Sequence, residues 1–309
     1  MEAVGKLPEG NFTPQEMSLN IEAINKVTLK DRANSYKNRP FSFFLLALVS
    51  LAALITILVF LLLIGYIFVK GIPNIKPELF EWEYTTENVS MMPSIINTFL
   101  MTFATLIIAV PIGVFSAVYL VEYAKKGSKL VSVVRITTET LAGIPSIVYG
   151  LFGFLMFASA FKWGYTFIGG VLTLAIMVLP TIMRTTEEAL KSVPDSYREG
   201  SFGLGAGKLR TVFRIVLPSA IPGIFSGVVL STGRIVGETA ALIFTAGTKA
   251  AVPSNIFSST RTLAVHMYSL LTEGLYIEQA YATAVIILVM VIVINAVSSK
   301  LAKAIVKNR

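Results

Sequence analysis

Two stretches without a single charged side chain, Phe41 to Val69 and Ser94 to Val121, restrict this sequence more than any other feature in it. A hydrocarbon core of about 30 Å is crossed by roughly 20 helical residues rising 1.5 Å each, and both stretches exceed that length. In lipid every backbone N–H and C=O must find its partner within the chain, so these stretches read as helices. The period-two alternation of a β-barrel strand is missing from runs so uniformly apolar. Composition agrees: 54% of the 309 residues are hydrophobic and 14% charged, with a mean hydropathy of +0.73, outside the balance of a soluble domain. The first run is too long and too far from Met1 for a signal peptide, and no small-residue cleavage site follows it, so it is expected to remain as an anchor.

Six spans are expected, near 41–69, 94–121, 141–161, 165–183, 218–243 and 280–299, giving an all-α polytopic membrane bundle. Only Lys162, Trp163 and Gly164 separate the third from the fourth, which predicts a tight hairpin. Basic residues orient the spans. Six lie before Phe41, four in 122–140, six in 184–217 and four after 299, against five in the intervening outer segments: Lys70, Lys76, Lys162, Lys249 and Arg261. That asymmetry places both termini in the cytoplasm and makes the number of spans even. The net charge of +8 then reflects topology and contact with anionic lipid; its spread over four segments, without interleaved aromatics, does not suit nucleic acid. The expected organisation is a mostly disordered cytoplasmic tail over 1–40, a permease domain over 41–299 with an inner loop at 184–217, and a cytoplasmic tail over 300–309. With no cysteine, disulfides and thiol chemistry are excluded. The single histidine, His266, cannot build a metal site alone and is expected to be an ordinary surface or loop residue. No metal or cofactor is expected.

The inner loop carries its own order. Pro194 and Asp195 suit a first helical turn, Tyr197, Phe202 and Leu204 give that helix an apolar side, and Gly203 to Gly207 supplies a break. Lys208 to Val216 resumes helical patterning, with Leu209, Val212, Phe213 and Val216 expected on one stripe. Within this loop Glu199, Gly200 and Ser201, three residues, Gly205, nine residues, then Ile215, Leu217 and Pro218 resemble the E-A-A, x3, G, x9, I-x-L-P pattern of ABC importer permeases. Gly200 and Ser201 stand where the pattern has alanines; both are small, so close approach of a partner stays feasible. The resemblance implies that this loop is the coupling helix that sits in a cleft of an ATPase subunit. Four further stretches, KGIPNIKPELFEW (70–82), NTFLMTFATLIIAVPIGVFSAVYLVEY (97–123), AGIPSIVYGLFG (142–153) and GRIVGETAALIFTAG (233–247), are similar to the phosphate transporter permeases. The Ala-Ala-Leu-Ile-Phe-Thr-Ala tail after Thr239 is nearer the PstA type than the PstC type. The Glu-rich outer loop, with Glu78, Glu81, Glu83 and Glu87, departs from the family pattern.

The resemblance implies the MetI-like architecture of a type I importer. It also implies a PstC-like partner permease, two ATP-hydrolysing PstB-like subunits and an extracytoplasmic PstS-like phosphate-binding protein. ATP chemistry would lie outside this chain, and no G-x-x-x-x-G-K-[ST] phosphate loop occurs in it; GLGAGKL at 203–209 has the wrong spacing and no Ser or Thr after Lys208.

Arg234 and Glu238 are the only charged residues between Arg214 and Lys249. Intramembrane charges face a bundle interior or a water-filled path, and the i, i+4 spacing predicts one shared helical face. Arg234, with Glu238 and Thr239 beside it, is the candidate substrate contact, since a guanidinium offers a planar fork of donors to an oxyanion. A structural salt bridge between the two is the competing reading, and it stays open whether Glu238 meets the substrate or only holds Arg234. Pro145 and Ser146 are either a plain helix start or a cavity-lining break, Pro111 is expected to kink its span, and Gly223, Gly227, Gly233 and Gly237 are expected to allow close packing. Within the importer class the alternatives are permeases for molybdate, sulfate or an amino acid. Outside it, a secondary carrier would need coupling carboxylates in several spans, and Glu238 is the only one placed in any.

Overall fold

The computed structural model describes residues 40–125 and 127–307; the expectation for 1–39 lies outside the described residues, as do Lys126, Asn308 and Arg309. Among the described residues every regular element is a helix. Five helices are long and apolar enough to cross a membrane, and a bent pair makes a sixth if counted as one span. The chain divides into two units at Leu63/Ile64. Helix α1 (Pro40–Gly71) has apolar side chains exposed around its whole circumference from Phe41 to Leu63, the pattern of a helix that meets lipid rather than water on every side.

In the second unit the core is built on α5 (Phe167–Lys191). Thr166 caps it, its Oγ1 accepting the Gly169 N–H at 3.1 Å, and its buried stripe holds Val171, Leu174, Val178 and Ile182. On one side α5 packs against α2 (Met92–Val118). The buried residues of α2 recur every three or four positions as small or polar groups, from Ser94 and Asn97 through Thr105 to Gly113 and Ala117. Small side chains let helix axes approach where lipid supplies no hydrophobic drive. A wider π turn, Tyr119–Tyr123, ends this helix.

The third span, expected near 141–161, starts at a sharp corner. Helices α3 (Lys129–Ala142) and α4 (Ser146–Gly153, prolonged by a π segment to Ala160) meet at 104°. Pro145, with an extended ψ of 140°, is the N-cap of α4, and its ring disfavours helical backbone at Ile144, which keeps α3 from running into α4. The proline is thus a helix start, at a corner. The hairpin expected at Lys162 to Gly164 is present, with left-handed φ of 59° at Lys162 and 69° at Gly164.

After α5 come α6 (Asp195–Gly203) and α7 (Lys208–Thr211), the latter joined through a π turn to α8 (Leu217–Val236) in one rod of 29 residues, Lys208–Val236. Helix α8 also packs closely on α5: a Cβ at Gly223 would stand 2.6 Å from that of Ala189, and one at Gly227 would overlap Thr185. Gly233 and Gly237 face no such neighbour, so only the first two of the four glycines serve close packing. The expected span 218–243 is not continuous. The rod stops at Val236, and a separate short helix α9 (Ala240–Thr245) follows, packed on α4 where a Cβ at Gly150 would lie 2.7 Å from the Ala241 Cα. Helices α10 (Leu263–Glu273) and α11 (Ile277–Lys307) complete the unit; α11 runs on through positions expected to form a tail.

Candidate functional site

Arg234 occupies the last turn of α8, where a cation is favoured by the negative end of the helix dipole. It is half-buried and lines a cleft of about 590 Å3 between α3, α5 and α8, together with Thr138, Thr181, Thr185 and Leu230. Three more cations line the same cleft, and each is paired. Arg135 Nη2 lies 2.6 Å from Glu187 Oε1, Lys191 Nζ 2.7 Å from the same oxygen, and Arg184 Nε 3.1 Å from Glu188 Oε1. Among the described residues Arg234 is the cation of this cleft that has no carboxylate partner. Arg135 and Arg184 were read from sequence only as topology charges; their place beside Arg234 depends on the α3–α4 corner and on the α5–α8 contact, which leave no local signal.

The expected i, i+4 pair does not form. The helix ends between its members, so Glu238 lies beyond the turn that would have carried it onto the Arg234 face. Its carboxylate is buried, and Oε1 accepts the Ala241 N–H at 3.0 Å, capping α9 at the end where the dipole favours an anion. Thr239 stands half-buried at the junction, its φ of −121° and ψ of −55° breaking the helical path. Of the three predicted pathway residues, Arg234 reaches the cleft, while Glu238 and Thr239 build the break beyond it.

The inner loop forms the expected helix, glycine break and helix, with Gly205 in the left-handed region at φ 80°. Glu199 and Gly200 are exposed, and Ile215, Leu217 and Pro218 are half-buried at the entry to α8. Ser201 is small for an internal reason: it is buried and shares a 2.8 Å hydrogen bond with Thr211 Oγ1. The expected apolar stripe splits, Val212 and Val216 turning into the core while Leu209 and Phe213 stay exposed with Tyr197, Phe202 and Leu204. Arg198 ties the loop to two spans. Its Nη2 reaches Glu122 Oε1 at 2.8 Å and the Leu190 carbonyl at 2.9 Å, and its Nη1 reaches the Val193 carbonyl at 2.8 Å.

His266 is not the surface residue expected from its isolation. It is 1% exposed on α10, with its ring 6.2 Å from that of Tyr84. Burial, and secondarily the charge of Arg261, push its pKa down to about 3, so the imidazole is neutral. Arg261, counted in sequence as an outer-loop charge, is itself 5% exposed, with its guanidinium 4.5 Å from the centroid of the Tyr84 ring.

Comparison with known proteins brings these features together. The family model for the inner membrane component of binding-protein-dependent transport systems matches residues 109–308. A probable ABC transporter permease of Bacillus subtilis, YqgI, is 36% identical over 270 residues, 80% of this chain and 90% of that protein. The phosphate transport system permease PstA of Pasteurella multocida is 35% identical over 231 residues, 73% of this chain and 81% of that one. PstA 1 of Mycobacterium tuberculosis is 36% identical, with the alignment spanning 61% of this chain and 62% of that protein's length. In fold, a subunit of a bacterial alginate ABC transporter superposes with a TM-score of 0.64 at 17% identity, over 87% of this chain and 97% of that one. A subunit of the inward-facing MetNI methionine ABC transporter does so with 0.54 at 19% identity, over 78% and 97%.

Proposed function

Because the chain belongs to the family of binding-protein-dependent transport inner membrane components, as a multi-pass permease subunit of an ABC importer, we propose that its transported solute is inorganic phosphate and that Arg234 is its contact. The observation that carries this reading is the unpaired guanidinium of Arg234 in a cleft whose other cations are paired. A guanidinium presents two parallel N–H donors that match two phosphate oxygens. The three paired cations are offset by the three carboxylates that line the same cleft, Glu139, Glu187 and Glu188, so the charge left for an anion is that of Arg234, and Thr138, Thr181 and Thr185 add hydroxyls to the lining. Such a site holds an anion weakly enough to release it, as transport demands. The similarity to PstA proteins supports phosphate over molybdate, sulfate or an amino acid.

Glu238 contributes by position. As the cap of α9 it holds the start of the helix that follows the break, while Arg234 sits at the end of α8 facing the cleft. The loop over Glu199, Gly200, Ser201, Gly205, Ile215, Leu217 and Pro218 is the ATPase-coupling element. Its exposed Tyr197, Phe202, Leu204 and Leu209 form an apolar face for docking. Arg198, gripping Glu122 and the end of α5, passes motion of the docked loop to the helices that line the cleft. In this reading a PstC-like permease completes the pathway, two PstB-like subunits hydrolyse ATP on the cytoplasmic side, where both termini lie, and a PstS-like protein delivers phosphate from outside. The test is uptake by the assembled transporter in proteoliposomes. Arg234→Gln is expected to co-purify with its ATPase subunits and carry no phosphate; normal uptake by that variant would overturn the assignment, and sulfate or molybdate uptake by the wild type in place of phosphate would replace the solute.

A further inference from the structure

A second buried cation lies far from the cleft of Arg234. Asn97, near the start of α2, donates through Nδ2 to the Arg261 carbonyl at 3.0 Å, whereas Leu120 in the cleft lies past the other end of that helix. The 23 residues between them span about 35 Å. Around Arg261 the hydrogen bonding is incomplete. The Tyr84 ring covers the face of the guanidinium, an attraction that leaves the in-plane N–H groups unused. Nε and Nη2 of Arg261 are buried without an acceptor, and among the described residues no carboxylate pairs with it. The adjoining Thr262 hydroxyl, Asn97 Oδ1 and both ring nitrogens of His266 are buried and unpartnered too. Buried polar groups are nearly always satisfied, and a buried charge without a counter-ion is costly. Two further buried hydroxyls without partners, Thr102 and Thr105, follow on α2 in the direction of the cleft.

We propose that Arg261, with Thr262 and His266, forms a second contact for the transported oxyanion, closed over by Tyr84. The missing group is an acceptor in the plane of the guanidinium, and a tetrahedral oxyanion supplies two. Hydrogen phosphate also carries a proton, for which Asn97 Oδ1 and the unprotonated ring nitrogen of His266 are acceptors. Tyr84 lies on the α1–α2 connection, whose backbone is held by Tyr276 Oη on the Thr86 carbonyl at 2.8 Å. Displacing its ring uncovers the face of the guanidinium and opens a way in to the buried cluster. The inference rests on the reading above only in taking the solute to be an oxyanion.

The experiment uses the complete transporter in proteoliposomes with labelled phosphate, comparing wild type, Arg261→Met, Arg261→Lys and Arg234→Gln, with the Tm of each detergent-solubilised complex. Arg261→Met removes a costly unpaired charge but keeps the stem. It is expected to assemble with an unchanged or raised Tm and to lose uptake about tenfold or more at sub-saturating phosphate, the effect of removing charge-assisted hydrogen bonds. Arg261→Lys, with the charge but no fork, is expected to fall between. Unchanged uptake in Arg261→Met overturns the site. A fall in its Tm with loss of assembly, rescued by Arg261→Lys, also overturns it, assigning Arg261 to a carboxylate of a partner subunit. If the wild type imports another oxyanion instead of phosphate, the same comparison is run with that anion; the solute assignment then fails while the Arg261 site stands or falls by its own variants.

Discussion

Arg234 and Arg261 are both cations without a carboxylate partner among the described residues, yet their surroundings are opposite. Arg234 ends a long helix and opens onto a cleft of about 590 Å3 among cations that already have carboxylates. Arg261 is sealed under an aromatic ring among groups that have nothing. An accessible charge keeps part of its hydration and tolerates waiting for a ligand, whereas an enclosed one has already lost its water. Under the two proposals above, the difference would make one end of α2 an open, weak station for an anion and the other a closed one.

The contrast breaks most sharply at Arg234. Arg234→Gln should lower phosphate uptake by about 100-fold or more, as expected for loss of two charge-assisted hydrogen bonds, measured as initial rates in proteoliposomes. A subtler variant supplies the partner that Arg234 lacks. Leu230 lies one turn earlier, lines the same cleft and is exposed, so Leu230→Glu pairs with the guanidinium at i, i+4. Uptake should drop about tenfold through competition for the fork, with Leu230→Gln near wild type; equal rates in both would remove the significance of the unpaired state.

Smaller effects sharpen the role of the break between α8 and α9. Glu238→Ala removes the carboxylate that accepts the Ala241 N–H and should cost about 1 kcal/mol of stability, whereas Glu238→Gln keeps an acceptor and should cost less. Thermal unfolding of the complex distinguishes them, and a larger loss of uptake in Glu238→Gln than in Glu238→Ala would return Glu238 to the substrate. An effect confined to acid pH concerns His266, which is neutral when folded because its pKa is lowered to about 3. The unfolded chain, titrating near 6.5, binds the extra proton first, so stability is complete above about pH 6.5 and falls as pH drops towards 3, by at most about 1.4 kcal/mol per unit. His266→Phe should flatten that part of the Tm-against-pH curve, and an unaltered slope would show that other groups control it.

Much of this was legible without coordinates. Runs such as Phe41 to Val69 declare helices because lipid leaves the backbone no other way to satisfy itself. The break at Gly203–Gly207 was legible because positive φ is cheap for glycine, and the resemblance of the inner loop to importer permeases because its spacing is local. Arg234 stood out because a charge within an apolar run demands a reason. The end of α8 was not legible from Gly237, its C-cap, because three other poor helix formers, Gly223, Gly227 and Gly233, are carried inside the same helix. What stops it is the packing of α9 on α4 at Gly150, a contact between segments about 90 residues apart in sequence. His266 misled for a similar reason. A lone histidine carries no periodic signal, and its burial follows from Tyr84, which the α1–α2 connection brings over it.

The amino-acid sequence by itself determined a helical membrane permease, most of its spans and the helix, glycine break and helix of its inner loop, because hydrophobic length, glycine breaks and motif spacing act over short distances along the chain. Only the tertiary structure decided which charges are paired. Coulombic partners and hydrogen bonds depend on distances of a few ångströms between helices, and those follow from how the helices pack.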